Sequence, residues 1–133
     1  MEKQRILLVE DNARLREVFA RALGRALAAE RLEVAFVGAG SISEARARLR
    51  EGGLDAALID VQLPDGDGLD LVRELNNGAA VRIPTLVLTA YLDPEVAAKA
   101  MGAGARGALS KVVSVPDTVE ALKRLTEGGR PEV

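Results

Sequence analysis

Short apolar runs alternate along this chain with longer stretches in which apolar residues recur at helical spacing. The apolar runs predict five strands, at residues 5–9, 32–37, 56–60, 84–89 and 107–110. The periodic stretches predict five helices, at residues 13–29, 42–51, 67–76, 94–101 and 115–127. The third and fourth runs are predominantly apolar, which is typical of strands buried on both faces of a parallel sheet.

The first helix has the clearest pattern, and polar residues mark the start of several helices. Its apolar face is predicted to consist of Leu15, Val18, Phe19, Ala22, Leu23, Ala26 and Leu27. Asn12 is the predicted N-cap of this helix, because its side chain can accept a hydrogen bond from the first turn. Ser41 or Ser43 is expected to cap the second helix, and Ser114 the fifth.

Strands that alternate with helices predict one α/β domain with helices on both faces of a parallel sheet. Right-handed crossovers restrict the topology, and we expect a flavodoxin-like, doubly wound fold with strand order 2-1-3-4-5. In that order, successive strands are added on opposite sides of strand one, so the strand order reverses between strands one and three. Binding sites in such sheets form at this point, beyond the carboxyl ends of the strands. We expect residues 1–127 to form this domain and residues 128–133 to be a tail or the start of a linker.

The composition limits the metal ligands and the binding partners that this chain can have. The chain has no cysteine and no histidine, which excludes thiolate and imidazole ligands, so a metal ion would be held by oxygen: Mg²⁺, Mn²⁺ or Ca²⁺. A net charge of −2 and three aromatic residues argue against direct binding to nucleic acid or to an anionic membrane. Because no apolar run approaches the length of a membrane span, we expect a cytoplasmic location.

Polar residues that could take part in catalysis or metal binding lie at the ends of four predicted strands, or directly after them. Glu10 and Asp11 follow the first, Asp60 ends the third, Thr89 ends the fourth and Lys111 follows the fifth. Carboxylates gathered at strand ends can hold Mg²⁺, and a carboxylate can itself attack phosphorus to form an aspartyl phosphate. Lys111 and Thr89 could then contact two phosphoryl oxygens, as a cation and a hydroxyl donor. The pattern suggests a metal-assisted phosphoryl acceptor with Asp60 as nucleophile.

Each residue also has an ordinary structural interpretation. A single aspartate at a strand end is usually a turn former or a helix cap, and Glu10 with Asp11 could cap the first helix. Thr89 could be an ordinary strand residue and Lys111 a solvated surface charge. What favours the functional interpretation is that all of them lie at the same ends of neighbouring strands.

Four segments together resemble the receiver domain of bacterial two-component response regulators, over residues 4–127. The segments are Leu8-Val9-Glu10-Asp11, Leu58-Ile59-Asp60 with Pro64 four residues on, Leu88-Thr89-Ala90, and Gly104-Ala105-Arg106-Gly107 before Lys111. The resemblance implies a signalling switch that is not an enzyme in the ordinary sense, since it would catalyse only its own phosphorylation and dephosphorylation.

The resemblance also implies the parts of the site and its partners. A Mg²⁺ site would be formed by the carboxylates of Glu10, Asp11 and Asp60 and by the backbone carbonyl of Gln62. The phosphodonor would be a phosphohistidine on a sensor histidine kinase or a phosphotransfer protein. A homodimer or a C-terminal output domain, such as a helix-turn-helix domain, would be a further partner.

The chain departs from the family pattern at two positions. Ala108 stands three residues before Lys111, where the family has an aromatic residue that swings inward as the threonine moves. We hypothesise that Tyr91, two residues after Thr89, partly replaces this switch residue or shields Asp60 from water. Val112 stands where many relatives have proline.

Other interpretations of the sequence are weaker. A pseudo-receiver, which binds partners without being phosphorylated, stays open because of Ala108. A phosphatase with an aspartate nucleophile would need an acid two residues after Asp60, where this chain has Gln62. The segment at 38–43, Gly-Ala-Gly-Ser-Ile-Ser, resembles a dinucleotide-binding loop, but we interpret it as a turn and an N-cap. The arginines of the second helix are interpreted as a solvated face: Arg46, Arg48 and Arg50.

Overall fold

Strands and helices alternate through residues 3–78, 81–111 and 115–128, which the computed structural model describes. In chain order the elements are β1 (Gln4–Val9), α1 (Ala13–Ala29), β2 (Val34–Ala39), α2 (Ile42–Glu51), β3 (Ala56–Asp60), β4 (Gln62–Leu63), β5 (Gly66–Asp67), α3 (Gly68–Asn77), β6 (Thr85–Thr89), α4 (Pro94–Ala103), β7 (Gly107–Ser110) and α5 (Val115–Gly128).

The five longer strands form one parallel sheet in the order β2-β1-β3-β6-β7. Because β6 and β7 are the fourth and fifth of these strands, this is the predicted order 2-1-3-4-5, and the flavodoxin-like fold is confirmed. Every residue of β3 and β6 is buried, as the apolar character of these two segments predicted. The strand order reverses between β1 and β3, which are parallel neighbours, because β2 lies on one side of β1 and all later strands of this sheet lie on the other.

Helices cover both faces of the sheet, and alternate residues of each strand supply the two cores. On β1, Leu7 and Val9 pack with α2, α3 and α4, whereas Ile6 and Leu8 pack with α1 and α5. The same alternation continues on β3, where Ile59 joins the first core. Within the described parts of the chain, none of the helices is long and apolar enough to cross a bilayer.

Several predicted boundaries were wrong by one or two residues. The second strand runs from Val34 to Ala39 rather than over 32–37, because the amide of Leu32 donates to the Leu27 carbonyl (2.9 Å) and completes the end of α1. Gly38 and Ala39 are added at the other end because they pair with Leu8 and Val9 of β1. Helix α4 continues two residues beyond its predicted end, and Gly104 caps it at φ 106°.

The caps agree with the sequence where the structure describes them. Asn12 accepts a hydrogen bond from the Leu15 amide (2.9 Å), and the Ser41 hydroxyl accepts one from the Glu44 amide (3.1 Å). Ser41 rather than Ser43 is therefore the cap of α2, and Ser114 lies outside the described residues. Val18, predicted on the apolar face of α1, is an exposed residue at the margin of that face.

Gly24 gives a test of the fold in the interior of α1. No described atom outside its immediate helical neighbourhood lies within 4 Å of the place where a Cβ would stand. Because alanine has the higher helix propensity, Gly24→Ala is expected to raise the free energy of unfolding by about 0.5–1 kcal/mol, measured by urea denaturation. Gly52→Ala is the matched control, since it has equal space but a φ of 80° and should lower that free energy. A Gly24→Ala protein less stable than wild type would contradict the helix.

Candidate functional site

Parallel pairing brings four strand ends to one edge of the sheet. Val9 of β1 pairs with Ile59 of β3, so the next residue of each chain segment, Glu10 and Asp60, lies beside the other at the strand ends. Asp60 in turn pairs with Leu88, next to Thr89. Lys111 follows β7 and its amide donates to the Thr89 carbonyl (2.8 Å). The predicted residues therefore lie on neighbouring strands at the carboxyl edge.

Three carboxylates converge at this edge. Glu10, Asp11 and Asp60 each offer an oxygen, and these oxygens lie within 4.8 Å of one another. Glu10 is 2% exposed and Asp60 4% exposed, whereas Asp11 is exposed to solvent. The Asn12 amide donates to Glu10 Oε2 (3.1 Å), and the Gln62 amide donates to Asp60 Oδ1 (3.2 Å). The cluster is thus buried on one side and open on the other.

Lys111 is the cation of the cluster. Its Nζ lies 2.7 Å from Asp60 Oδ2 and 2.5 Å from Glu10 Oε1, and its side chain is 17% exposed. Burial raises the pKa of Glu10, although the contact with Lys111 partly counteracts it. Burial alone would lower the pKa of Lys111, but the contacts with Asp60 and Glu10 outweigh it and raise that pKa. At neutral pH the lysine is therefore held charged between two carboxylates.

The donor set fits a divalent cation. All the ligands are carboxylate oxygens, which Mg²⁺ prefers, and the exposed side leaves room for the waters that Mg²⁺ keeps. Glu10 Oε1 is buried, and its partner among the described residues is Lys111 Nζ, so both buried carboxylates share this one cation. Three carboxylates against one lysine also leave excess negative charge. The backbone carbonyl of Gln62 as a further ligand stays a prediction.

Thr89 and Tyr91 lie beside the cluster, at the end of β6. Thr89 is buried, and its hydroxyl donates to the Tyr91 carbonyl (3.4 Å). The Tyr91 side chain is 85% exposed, so the burial of Asp60 in this structure owes little to the tyrosine ring. Ala108 lies on β7, pairs with Val87 and packs against the core formed with α2, α3 and α4. A role of Tyr91 or Ala108 in switching stays a prediction.

The loop after Asp60 contains structure that the sequence did not predict. Gln62–Leu63 and Gly66–Asp67 form a small antiparallel hairpin, β4 and β5. At its tip, Asp65 accepts two hydrogen bonds from the first turn of α2, from the amides of Ile42 (2.9 Å) and Ser43 (3.0 Å). These bonds lower the pKa of Asp65. The Pro64-Asp65-Gly66 sequence signalled a turn, but nothing in it identified a helix more than 20 residues away as its partner.

The segment that resembled a dinucleotide loop is filled by an arginine of the chain itself. Arg16 lies against Gly38 and Gly40, so that a Cβ at Gly38 would stand 3.0 Å from its Nε. The Arg16 guanidinium donates to the Glu10 carbonyl (2.6 Å) and so holds the end of β1. Sequence reasoning missed this role. The glycines here make room for a side chain, which agrees with the interpretation of the segment as a turn.

The arginines of α2 lie on the surface, as predicted. Arg46 forms an ion pair with Glu74 of α3, and Arg48 with Glu51 of the same helix (3.4 Å). The contact with Glu74 raises the pKa of Arg46. Pairs this exposed contribute little to stability, and they give these arginines partners within the domain.

Comparisons with known proteins agree on one family. The sequence model of the family described as response regulator receiver domain matches residues 6–123. DevR/DosR of Mycobacterium tuberculosis, a DNA-binding transcriptional activator, is 37% identical over 128 residues, which cover 93% of this chain and 55% of that protein. The transcriptional regulatory protein UhpA of Salmonella typhimurium is 35% identical over 124 residues, covering 93% of this chain and 59% of that protein.

A solved structure is similar as well. A response regulator from Burkholderia pseudomallei, crystallised with a phosphorylated aspartic acid, a calcium ion and citrate, superimposes with a TM-score of 0.69. It is 27% identical, and the match covers 93% of this chain and 66% of that one. The chain spans less than two thirds of the length of the two curated relatives.

Proposed function

This chain belongs to the response regulator receiver domain family, and on that premise we propose that it is a phosphorylation-dependent switch with Asp60 as the phosphoacceptor. Members of this family act in two-component signalling. The observation that carries the assignment of Asp60 is its position at the end of β3, in contact with Lys111 and within one carboxylate cluster with Glu10 and Asp11. Glu10 also contacts Lys111, so the position of Asp60 at the end of the central strand, β3, is what distinguishes it.

The proposed reaction transfers a phosphoryl group from a phosphohistidine to the Asp60 carboxylate. The phosphorus–nitrogen bond breaks, the imidazole nitrogen keeps the electron pair, and a phosphorus–oxygen bond to Asp60 forms. Glu10, Asp11 and Asp60, with the Gln62 carbonyl, would hold Mg²⁺, which neutralises phosphoryl charge when bound. Lys111 Nζ, released from Asp60 Oδ2, would contact one phosphoryl oxygen.

Thr89 links the reaction to a change of shape. Among the described residues its hydroxyl makes one long hydrogen bond, to the Tyr91 carbonyl, so a phosphoryl oxygen on Asp60 would be a better acceptor for it. Turning toward that oxygen would pull on the end of β6 and on the loop leading to α4. The phosphorylated aspartic acid in the Burkholderia pseudomallei response regulator supports this chemistry in the family.

The proposed partners follow from the same assignment. The donor is a sensor histidine kinase or a phosphotransfer protein, and the target is an output domain or a second copy of the chain. Both curated relatives are named as transcriptional regulators and are longer than this chain, which supports an output domain as the target. The cytoplasmic location, the boundary at residue 127 and the absence of direct contact with nucleic acid stay predictions.

Intact-mass spectrometry after incubation with acetyl phosphate and MgCl₂ tests the proposal. We expect wild type to gain one phosphoryl group and the Asp60→Asn variant to gain none, because the amide is not a nucleophile of this kind. EDTA should also prevent the gain. The main alternative, a pseudo-receiver, is favoured by the missing aromatic at Ala108 and predicts no gain from acetyl phosphate or from a phosphohistidine donor. A gain that persists in Asp60→Asn would assign phosphorylation elsewhere.

A further inference from the structure

The loop that carries Gln62 is held at its base, where the Val61 carbonyl accepts from the Gly68 amide and Leu63 packs against the core. Among the described residues, β4 and β5 pair with each other through two residues each and are separate from the main sheet. A ladder this short is marginal without outside support. At the Asp60 end, the loop is anchored by the bond from the Gln62 amide to Asp60 Oδ1. These contacts hold the base of the hairpin, and its tip needs a second anchor if the position of Gln62 is to be fixed.

Asp65 supplies that second anchor. Its two carboxylate oxygens accept from the amides of Ile42 and Ser43, the first two residues of α2. The third amide of the turn, from Glu44, donates to the Ser41 hydroxyl, so each of the three is satisfied. Two bonds from one carboxylate to a helix N-terminus are favoured by the helix dipole as well as by hydrogen bonding.

The helix end to which Asp65 binds is itself fixed. Ile42, Ala45 and Leu49 of α2 are buried against the sheet. The tip of the hairpin also packs on this helix, because a Cβ at Gly66 would stand 3.0 Å from Ile42 Cδ1, at a φ of 154° that favours glycine. The loop after Asp60 thus rests against a helix that is packed on the core.

From this geometry we propose that Asp65 is a positioning residue of the Mg²⁺ site, tying the Gln62 loop to α2 so that the Gln62 carbonyl stays aligned with Asp60. The inference rests on the proposed function, since it assigns a role within the same site. Asp65 lies three residues beyond Gln62 and acts through the hairpin, without contacting the metal. Freeing the tip would let β4 move, and the carbonyl would be presented in a range of positions.

The test measures Mg²⁺ affinity of the full chain by isothermal titration calorimetry, well below the unfolding temperature. Asp65→Ala is expected to bind Mg²⁺ about tenfold more weakly than wild type, the usual effect of removing a group that orients a metal ligand. Asp65→Asn keeps one acceptor oxygen for the helix and should recover part of the affinity. Unfolding of each variant in urea gives its stability separately.

Ser41→Ala is the matched control, because it removes a cap of the same turn of α2, and the bond it removes is to the Glu44 amide and not to the loop. It should lower stability yet leave Mg²⁺ affinity unchanged. Wild-type affinity in Asp65→Ala, or an equal loss of affinity in Ser41→Ala, would overturn the role of Asp65 and leave the proposed function intact. A wild-type chain that binds no Mg²⁺ would instead overturn the metal site itself, and the positioning role with it.

Discussion

Gly68→Ala is expected to destabilise the domain by about 3 kcal/mol, the upper end of the usual cost of overpacking a close-packed core. A Cβ at this position would stand 1.9 Å from the Asp60 carbonyl oxygen, far inside van der Waals contact. The obstacle is backbone, and its neighbour Ile59 is fully buried, so no flexible side chain can give way. Gly68 is needed here for close approach, because its φ is not in the left-handed region.

The same substitution should also disturb the site. The Gly68 amide donates to the Val61 carbonyl (2.7 Å), so the start of α3 is held directly against the residues that follow Asp60. Displacing α3 would shift Asp60 and the loop after it. We therefore expect phosphorylation by acetyl phosphate to slow as well as the midpoint of thermal unfolding to fall, by roughly 10 °C for a domain of this size.

Urea and thermal unfolding measure the change, and Gly24→Ala is the control. Both variants add one methyl group to a helical glycine, but no described atom approaches the position of the new Cβ at Gly24. The two variants should therefore change stability in opposite directions. A Gly68→Ala protein as stable as wild type would mean that α3 and β3 approach each other less closely than described.

The sequence predicted the parts of the fold that depend on local patterns. The apolar runs were long enough to identify all five strands of the main sheet, and because parallel strands end at a common edge, they also predicted that Glu10, Asp60 and Lys111 would meet. The polar caps of α1 and α2 were predictable because Asn12 and Ser41 act on their own helices.

The sequence could not predict contacts between distant segments. The bonds from Asp65 to α2 join residues 22 and 23 positions apart, and each segment alone looks like an ordinary turn or an ordinary helix start. Arg16 reads as one polar residue of an amphipathic helix, although it fills the space left by Gly38. The hairpin of β4 and β5 is too short to produce a periodic pattern. Such features depend on contacts between segments that are distant in sequence, and a local sequence pattern does not predict these contacts.

Lys111→Met is expected to lower the free energy of unfolding at neutral pH by about 3 kcal/mol in the absence of divalent cations, as removal of one partner from a buried ion pair does. Methionine keeps most of the side-chain volume, so the loss is one of charge. Glu10 and Asp60, both buried, would face each other with no cation between them. Lys99→Met is the control, since Lys99 is 61% exposed in its pair with Glu95 and should change stability by less than about 1 kcal/mol.

The pH dependence separates lost charge from lost packing. Lys111 lowers the pKa of Glu10, which burial already raises above its ordinary value of 4.5, so the variant should raise that pKa further. A carboxyl group with a raised pKa in the folded state favours folding below its ordinary pKa, and this contribution is lost as the pH rises through the folded-state value. The charge of Lys111 itself is present throughout this range, because its pKa is raised from 10.5.

The difference between Lys111→Met and wild type should therefore be smaller toward about pH 4.5, where Glu10 becomes protonated in the variant, than near pH 7. Urea denaturation in EDTA at several pH values measures it. A deficit that stays constant across this range would mean that Lys111 stabilises the domain through packing of its side chain. A deficit that grows with pH would mean that its charge is what allows two buried carboxylates to share one edge of the sheet.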